Sequence, residues 1–569
     1  MEEEMAEEMN IYFGASDLVT ALGGKEATLQ SMAEGVCGLR YAECFGMYAG
    51  LISGIPRTEG FTRFGSLVVD QVGKVLDRSG LSLSNPSVQL VISTTKGDVE
   101  LLADKGDAPV PEEAFLPFTA ARIAAHFRCA HRPVVISNAC ISGVSAFVVA
   151  RDLMEEGRRH VVVVGCDVLS EFVTSGFASF KSVSPAPCRP YDAARDGLTL
   201  GEACACVLLT KDIDHAVRPL VRLAGGAVTN DANHISGPSR TGDGLYHAIH
   251  AAMQEAGVGP EQVAFVNTHG TATLYNDEME SKAVAWAGLE AVPLNGLKGY
   301  VGHTLGASGV VDAVICTEEL RAGRIFGTLG YRDPGTSVPL QLTPGSRPVT
   351  GTCCVKTASG FGGCNAAIVL SAVPADPGIS GDGSQNGPEN RCTLPKRTVQ
   401  MVREYELPQS ELPFAIFIRD EYRKLADPNM KFFKMSGLCK AVYVAAENLL
   451  HGFDLSDYDP VRRAVILTNA SSSLEADREH QRIVDLRQPE GASPAVFVYT
   501  LPNVAAGELC IRHKFQGDNT FFIEAEDSGL SEEYARRLIC GDRADLAVCG
   551  WCDKLGETWN VHLKLLIKK

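Results

Sequence analysis

Four short stretches of the chain carry side chains able to do chemistry together. In VVISNACISGVSAF, Cys140 follows a run of apolar residues and precedes Gly143, Ser145 and Ala146. That order reads as a buried strand turning sharply into a closely packed helix, which presents a nucleophile at an elbow. The helix N-terminus favours a thiolate and offers backbone N–H groups. Taken alone, such a cysteine is more often core than nucleophile. In FVNTHGTATLYNDEMESKA a strand ends at His269, Gly270 frees the backbone, and Asp277 and Glu280 follow on one helical face. In LKGYVGHTLGASGVVDAV, Lys298 precedes His303 by five residues, and a Gly/Ala/Ser-rich helix begins just after the histidine. An imidazole there stays neutral, because the helix dipole disfavours imidazolium. It can then donate a hydrogen bond to a thioester carbonyl without losing a proton. In KTASGFGGCNAA, Gly360, Gly362 and Gly363 surround Phe361 and permit turns that bring a backbone N–H to a reacting oxygen.

The elements that must hold these residues alternate. Strands are expected over 89–95, 133–138, 160–166, 203–211, 264–268, 352–356 and 365–370, with helices over 115–127, 141–156, 277–286 and 305–321. Such alternation predicts α/β architecture with helices covering the sheets. The acidic start, 1–10, reads as disordered. Residues 374–396, rich in Pro, Gly, Ser, Asp and Asn without periodicity, read as a linker.

Beyond that linker, 397–569 look like the front of the chain again. ACISGVSAFVVARDLMEEGRRHVVVVGCD ends at Asp167 and AEDSGLSEEYARRLICGDRADLAVCGWCD at Asp553. The offset of 386 matches Ser142-Gly143 to Ser528-Gly529 and sets Glu526 opposite Cys140. Upstream, VISTTKGDVE resembles VILTNASSSLE, so the repeat is ordered along the chain. This tail has no counterpart of 188–370, hence none of the histidine segments.

The bulk numbers bound the function. A chain of 569 residues implies two or more domains. A net charge of -17 gives no basic excess for nucleic acid. No run of about 20 apolar residues spans a bilayer. Eighteen cysteines without a secretory or mitochondrial leader predict reduced thiols in the cytoplasm. Cys549 and Cys552 align with a strand and read as core thiols, not a metal or redox pair. No P-loop, dinucleotide fingerprint or metal-ligand cluster stands out.

In this order and spacing, Cys140, His269-Gly270-Thr271, Lys298 with His303, and Gly360–Asn365, together with RPYDAARDGLTLGEACACVLL, resemble the β-ketoacyl synthase family of the thiolase superfamily. The resemblance runs from about residue 11 to 370. It implies a thiolase-like αβαβα fold in 11–373, and an acyltransferase that joins an acyl thioester on Cys140 to a malonyl thioester with loss of CO₂. It implies His269 and His303 as donors to the malonyl carbonyl, Lys298 and Glu280 as a pair that orders the histidines with Asp277 as a further support, and the N–H groups of Cys140 and Phe361 as the oxyanion site, with Phe361 as gatekeeper. It implies no cofactor and no metal, an acidic acyl carrier protein as partner, and a basic patch for it including Arg57 and Arg63. A homodimer, or a pseudo-dimer through the C-terminal half-copy, is expected. One departure is Ser359, where the family often has a second Phe. A degradative thiolase is the nearest rival, but Cys364 lacks the Cys-x-Gly-x-Gly setting that enzyme needs. A non-catalytic chain-length-factor-like partner fits the tail, 397–569, as a degenerate half-domain. His234, in DANHISGP, is as readily structural as functional.

Overall fold

The computed structural model describes residues 10–106, 108–373, 398–425, 429–486 and 491–569. The acidic start up to residue 9 and the expected linker lie outside the described residues.

Fifteen of the strands build one five-stranded mixed sheet three times over. The first copy contains β1 (Tyr12–Thr20), β2 (Val88–Ser93), β3 (Val134–Ile136), β4 (His160–Asp167) and β5 (Ala203–Thr210). Its order is β3-β2-β4-β5-β1, with β2 parallel to β3 and β4, and β5 antiparallel to β4 and β1. The second contains β6 (Val221–Asn230), β7 (Val263–Asn267), β8 (Pro293–Asn295), β9 (Cys353–Gly360) and β10 (Cys364–Ala372), in the order β8-β7-β9-β10-β6 with the same directions. The third contains β11 (Val399–Glu406), β12 (Arg463–Asn469), β13 (Phe521–Ile523), β14 (Leu546–Leu555) and β15 (Thr558–Lys568), again in the order β13-β12-β14-β15-β11. The parallel central strands read as unbroken apolar runs, such as HVVVVGCD in β4, because both faces are covered.

Between the first two sheets lie two buried helices, Ser142–Glu155 and Ser308–Ala322. They cross at Gly143 and Gly309, where a Cβ on either would fall within 3.0 Å of the other's backbone. Outside, the helix Arg63–Ser79 covers the first sheet and Asp243–Ala256 the second. These layers give the αβαβα arrangement. In the third copy, Gly437–Leu450 packs on β14 and β15 as Arg63–Ser79 packs on β4 and β5.

The third copy docks edge to edge on the first. Strand β13 lies antiparallel to β3, with Phe522 opposite Ile136 and Ile523 opposite Val135. Behind this seam Arg543 Nη2 lies 2.8 Å from Asp152 Oδ1, and Lys96 Nζ 2.6 Å from Asp477 Oδ1, both acids buried. Glu526, expected opposite Cys140, is exposed and pairs with Arg132 of the first copy at 2.7 Å. No helix among the described residues is long and apolar enough to cross a membrane.

Three expectations are corrected. The tail does have a counterpart of one part of 188–370, because β15 lies antiparallel to β14 as β5 lies to β4; what it lacks is the second sheet with its histidine segments. The strand expected over 352–356 runs on to Gly360, because the glycine motif is the turn of the β9–β10 hairpin, with Gly360 opposite Cys364. Gly362 and Gly363 take φ of 91° and 72°, which side chains avoid. The helix expected from residue 277 starts a turn earlier, at Leu274.

Candidate active site

The elbow is a single 3₁₀ turn, Ala139–Ile141, between β3 and the helix from Ser142. Ala139 is forced to φ 49°, a left-handed strain held by its surroundings. The Ser142 hydroxyl accepts from the Asn138 N–H at 2.7 Å and donates to the Ala139 carbonyl at 2.6 Å. The second copy repeats the device: Leu305, φ 54°, opens the turn Leu305–Ala307 before the helix from Ser308. One elbow carries Cys140; the other follows directly on His303.

His303 Nε2 lies 3.1 Å from Cys140 Sγ. The Leu305 N–H donates to His303 Nδ1 at 3.3 Å, so the ring proton sits on Nε2. His269 stands edge-on to His303, ring centres 4.9 Å apart. Lys298 Nζ is 3.3 Å from His269 Nδ1 and donates to the His269 carbonyl. An ammonium only donates, so Nδ1 accepts and the His269 proton also sits on Nε2. Both rings therefore face the cavity as hydrogen-bond donors. Burial, reinforced by the Lys298 charge, pushes both imidazoles well below their usual value. Burial also pushes the Cys140 thiol up to about 12, with Lys298 opposing. The resting site is thus a thiol beside two neutral imidazoles.

Glu280, fully buried, accepts from the N–H groups of His269 and Gly270, each at 2.7 Å, and from the Tyr191 hydroxyl at 2.9 Å. Asp277 accepts from the Tyr191 and Ala272 N–H groups at 2.7 and 3.2 Å, and burial pushes its carboxyl up to about 7. Lys298 and Glu280 hold His269 from two sides instead of pairing with each other, because the backbone N–H groups already occupy the carboxylate.

Phe361 tips the hairpin turn, stacked on Phe177 at 6.0 Å and beside Phe180 at 5.2 Å. A Cβ on Gly360 would sit 3.1 Å from the Cys140 nitrogen, so the hairpin lies against the Cys140 amide. Phe361 separates two spaces. On one side a cavity of 360 Å³ is lined by Cys140, His269, His303, Thr271 and Ser359. On the other a narrow apolar gap of 20 Å³ is lined by Cys140, Phe177 and Leu305, and by Phe497 and Leu501 of the third copy.

The ligand atoms of Cys140, His269 and His303 lie within 4.8 Å of one another. With both Nε2–H groups facing the larger cavity and Lys298 behind, the set suits an anion or a carbonyl oxygen better than a metal ion. His234 uses its Nδ1 to accept from the N–H groups of Ser236 and Gly237, both at 3.1 Å, and stays within its own loop. Arg63 is held by Glu202 at 2.8 Å and Glu100 at 3.4 Å, while Arg57 is exposed.

Two further supports are not among the residues expected from the sequence. Lys356 and Asp312, paired at 2.7 Å, lie buried behind the histidines. Asp167 accepts from the Thr95 N–H at 3.1 Å and the Gly306 N–H at 2.7 Å, tying the first sheet to the second elbow. A signal for Asp167 existed: its counterpart in the repeat, Asp553, accepts from the Ser471 N–H at 2.8 Å.

Comparison with known proteins agrees with this geometry. Residues 52–215 match the model of the beta-ketoacyl synthase N-terminal domain, and 220–332 that of the C-terminal domain. The chain is 30% identical over 309 residues to the oxytetracycline polyketide putative beta-ketoacyl synthase 1 of Streptomyces rimosus, covering 51% of this chain and 72% of that protein. It is 32% identical over 280 residues to a putative polyketide beta-ketoacyl synthase 1 of Streptomyces cyaneus, covering 46% of this chain and 66% of that one. The match thus spans between about half and two thirds of the first curated relatives. A solved structure described as the PfaC keto synthase–chain length factor superposes with a TM-score of 0.77 at 14% identity, over 99% of this chain and 78% of that one. The nucleophile elbow, the paired imidazoles and these matches converge, and the chain belongs to the β-ketoacyl synthase family of the thiolase superfamily.

Proposed function

We propose that the chain is a β-ketoacyl-[acyl-carrier-protein] synthase, an acyltransferase of fatty acid or polyketide-type biosynthesis. One observation carries the reading: two neutral Nε2–H donors converge on the space beside the Cys140 sulfur. Cys140 attacks an acyl thioester, the acyl group moves to sulfur, and the proton leaves with the departing carrier thiol. A malonyl thioester then enters the larger cavity. Its C–CO₂ bond breaks, CO₂ departs, and the electron pair becomes an enolate whose oxygen accepts from His269 and His303. The enolate carbon attacks the acyl-Cys140 carbonyl. The N–H groups of Cys140 and Phe361 receive the oxyanion, donors worth about 3–4 kcal/mol each. The tetrahedral centre collapses, Cys140 takes up one proton, and the β-ketoacyl thioester leaves. The carboxylate lost as CO₂ supplies the driving force, so the steps call on no cofactor.

Residues 11–373 are read as the catalytic domain and 397–569 as a non-catalytic half that completes a pseudo-dimer. Glu526, opposite Cys140 in the repeat, is no thiol nucleophile, and the whole-chain likeness to a ketosynthase–chain length factor supports the assignment. Phe497 and Leu501 let this half close the acyl side of the site. In this reading the gap of 20 Å³ becomes the acyl side when Phe361 and its aromatic neighbours move. The carrier is an acyl carrier protein, acidic by class, which Arg57 is free to meet. The cysteines described are free thiols, in keeping with the cytoplasm.

The test is incubation with a panel of acyl carriers plus malonyl carrier, with products read by mass. β-Ketoacyl product should form, and the Cys140→Ala variant should make none. An unchanged rate in that variant ends the proposal.

A further inference from the structure

The β9–β10 hairpin that carries Phe361 is gripped from the third copy. Asn503, 1% exposed at the head of the helix Val504–His513, donates from Nδ2 to the Phe361 carbonyl at 2.8 Å. The two backbones also touch. A Cβ on Gly362 would sit 2.7 Å from Asn503 Nδ2, and one on Gly507 would sit 2.6 Å from the Gly362 carbonyl oxygen. From within its own domain the turn is held by Asn230 Nδ2, which donates to the Gly362 carbonyl at 2.9 Å, and by the Ile235 carbonyl, which accepts from the Gly362 N–H at 2.6 Å. Asn503 Oδ1 is buried and, among the described residues, has no hydrogen-bond partner. A buried acceptor left empty is a cost that folds seldom keep without a use.

We propose that Asn503 is a positioning residue for the gate: the non-catalytic half sets where Phe361 stands, and so the order of acylation and decarboxylation. This rests on the condensation reading for its consequence, not for its geometry. Nδ2 holds the Phe361 carbonyl in the resting position, with the aromatic side closed. When the turn moves to admit an acyl chain, Oδ1 is the acceptor ready for a loop N–H that has left its place. The half without a nucleophile thereby acts on the reaction through one amide.

The test separates the gate from the chemistry. In the full-length protein, the iodoacetamide alkylation rate of Cys140, followed by the mass of its own peptide after digestion because exposed Cys44 and Cys540 also react, reads access to the thiol whether or not any condensation occurs. Asn503→Leu, near in size but without a donor, should alkylate about five- to tenfold faster, the scale of one lost hydrogen bond. Gly507→Ala, which pushes on the Gly362 carbonyl, should shift the rate the same way. In turnover, Asn503→Leu should release more CO₂ per β-ketoacyl product than wild type and lower kcat while KM for the acyl carrier holds. Alkylation at the wild-type rate in both variants overturns the proposal. So does a turnover defect shared equally by CO₂ release and product formation. A wild-type enzyme that alkylates at Cys140 yet never condenses removes the synthase reading and leaves the alkylation comparison to decide the clamp.

Discussion

His303 holds its Nε2 proton toward Cys140 Sγ across 3.1 Å because Leu305 occupies its other nitrogen. The ring is a donor fixed by backbone, not a base awaiting a proton. His303→Ala should therefore cut condensation by about 10²–10³, the effect of one preorganised donor. Transfer of an acyl group to Cys140 should persist, seen as a mass adduct on the intact protein.

The pH dependence follows from the buried rings. Both imidazoles are held well below 6.5, so the condensation rate should show no acid break near that value. Stability behaves differently. Below about 6.5 the unfolded chain binds protons that the folded rings refuse, so stability falls as pH falls, by up to about 1.4 kcal/mol per pH unit for each ring. Rate profiles and chemical denaturation at matched pH check the two claims together.

Lys96 and Asp477 form a buried pair between the first and third copies, with the Ser473 hydroxyl 3.0 Å from Lys96 Nζ. Burial outweighs their attraction for both: it lowers the lysine and pushes the aspartate up to about 6. Lys96→Met alone should cost about 3–5 kcal/mol by stranding a carboxyl, while Lys96→Met with Asp477→Leu should lie near wild type. Urea unfolding of the two single variants and the double variant measures the coupling.

Phe497 lines the 20 Å³ gap beside Cys140 from the third copy, packed so tightly on Gly176 that a Cβ there would strike its ring. Phe497→Ala should shift the product distribution toward longer acyl chains and cost about 3–5 kcal/mol of stability. Competition between short and long acyl carriers, with products weighed by mass, reads the shift. An unchanged distribution would assign the limit elsewhere.

Much of the site was legible because each motif is local. A strand, an elbow and a helix follow one another within a dozen residues around Cys140, and the same grammar recurs at His303. The tail is recognisable as a repeat because Cys166-Asp167 and Cys552-Asp553 lie in equivalent strands at the offset of 386. What stayed hidden joins residues far apart in the chain. Asn503 meets Phe361 across 142 positions and Lys96 meets Asp477 across 381. No periodicity encodes such contacts; they arise only when the edges of the first and third sheets meet. The partner of Arg63 is hidden for the same reason, since Glu202 arrives from 139 residues away.

The pairing of Phe522 with Ile136 has one more consequence. Those positions differ by the repeat offset of 386, so each faces its own counterpart and a local two-fold axis runs between them. Separate subunits meeting on such an axis would drift apart on dilution. Here both partners belong to one polypeptide, and tethering replaces a concentration-dependent encounter with a fixed local one. Specific activity should then stay constant however far the protein is diluted, because the two faces of this seam cannot separate.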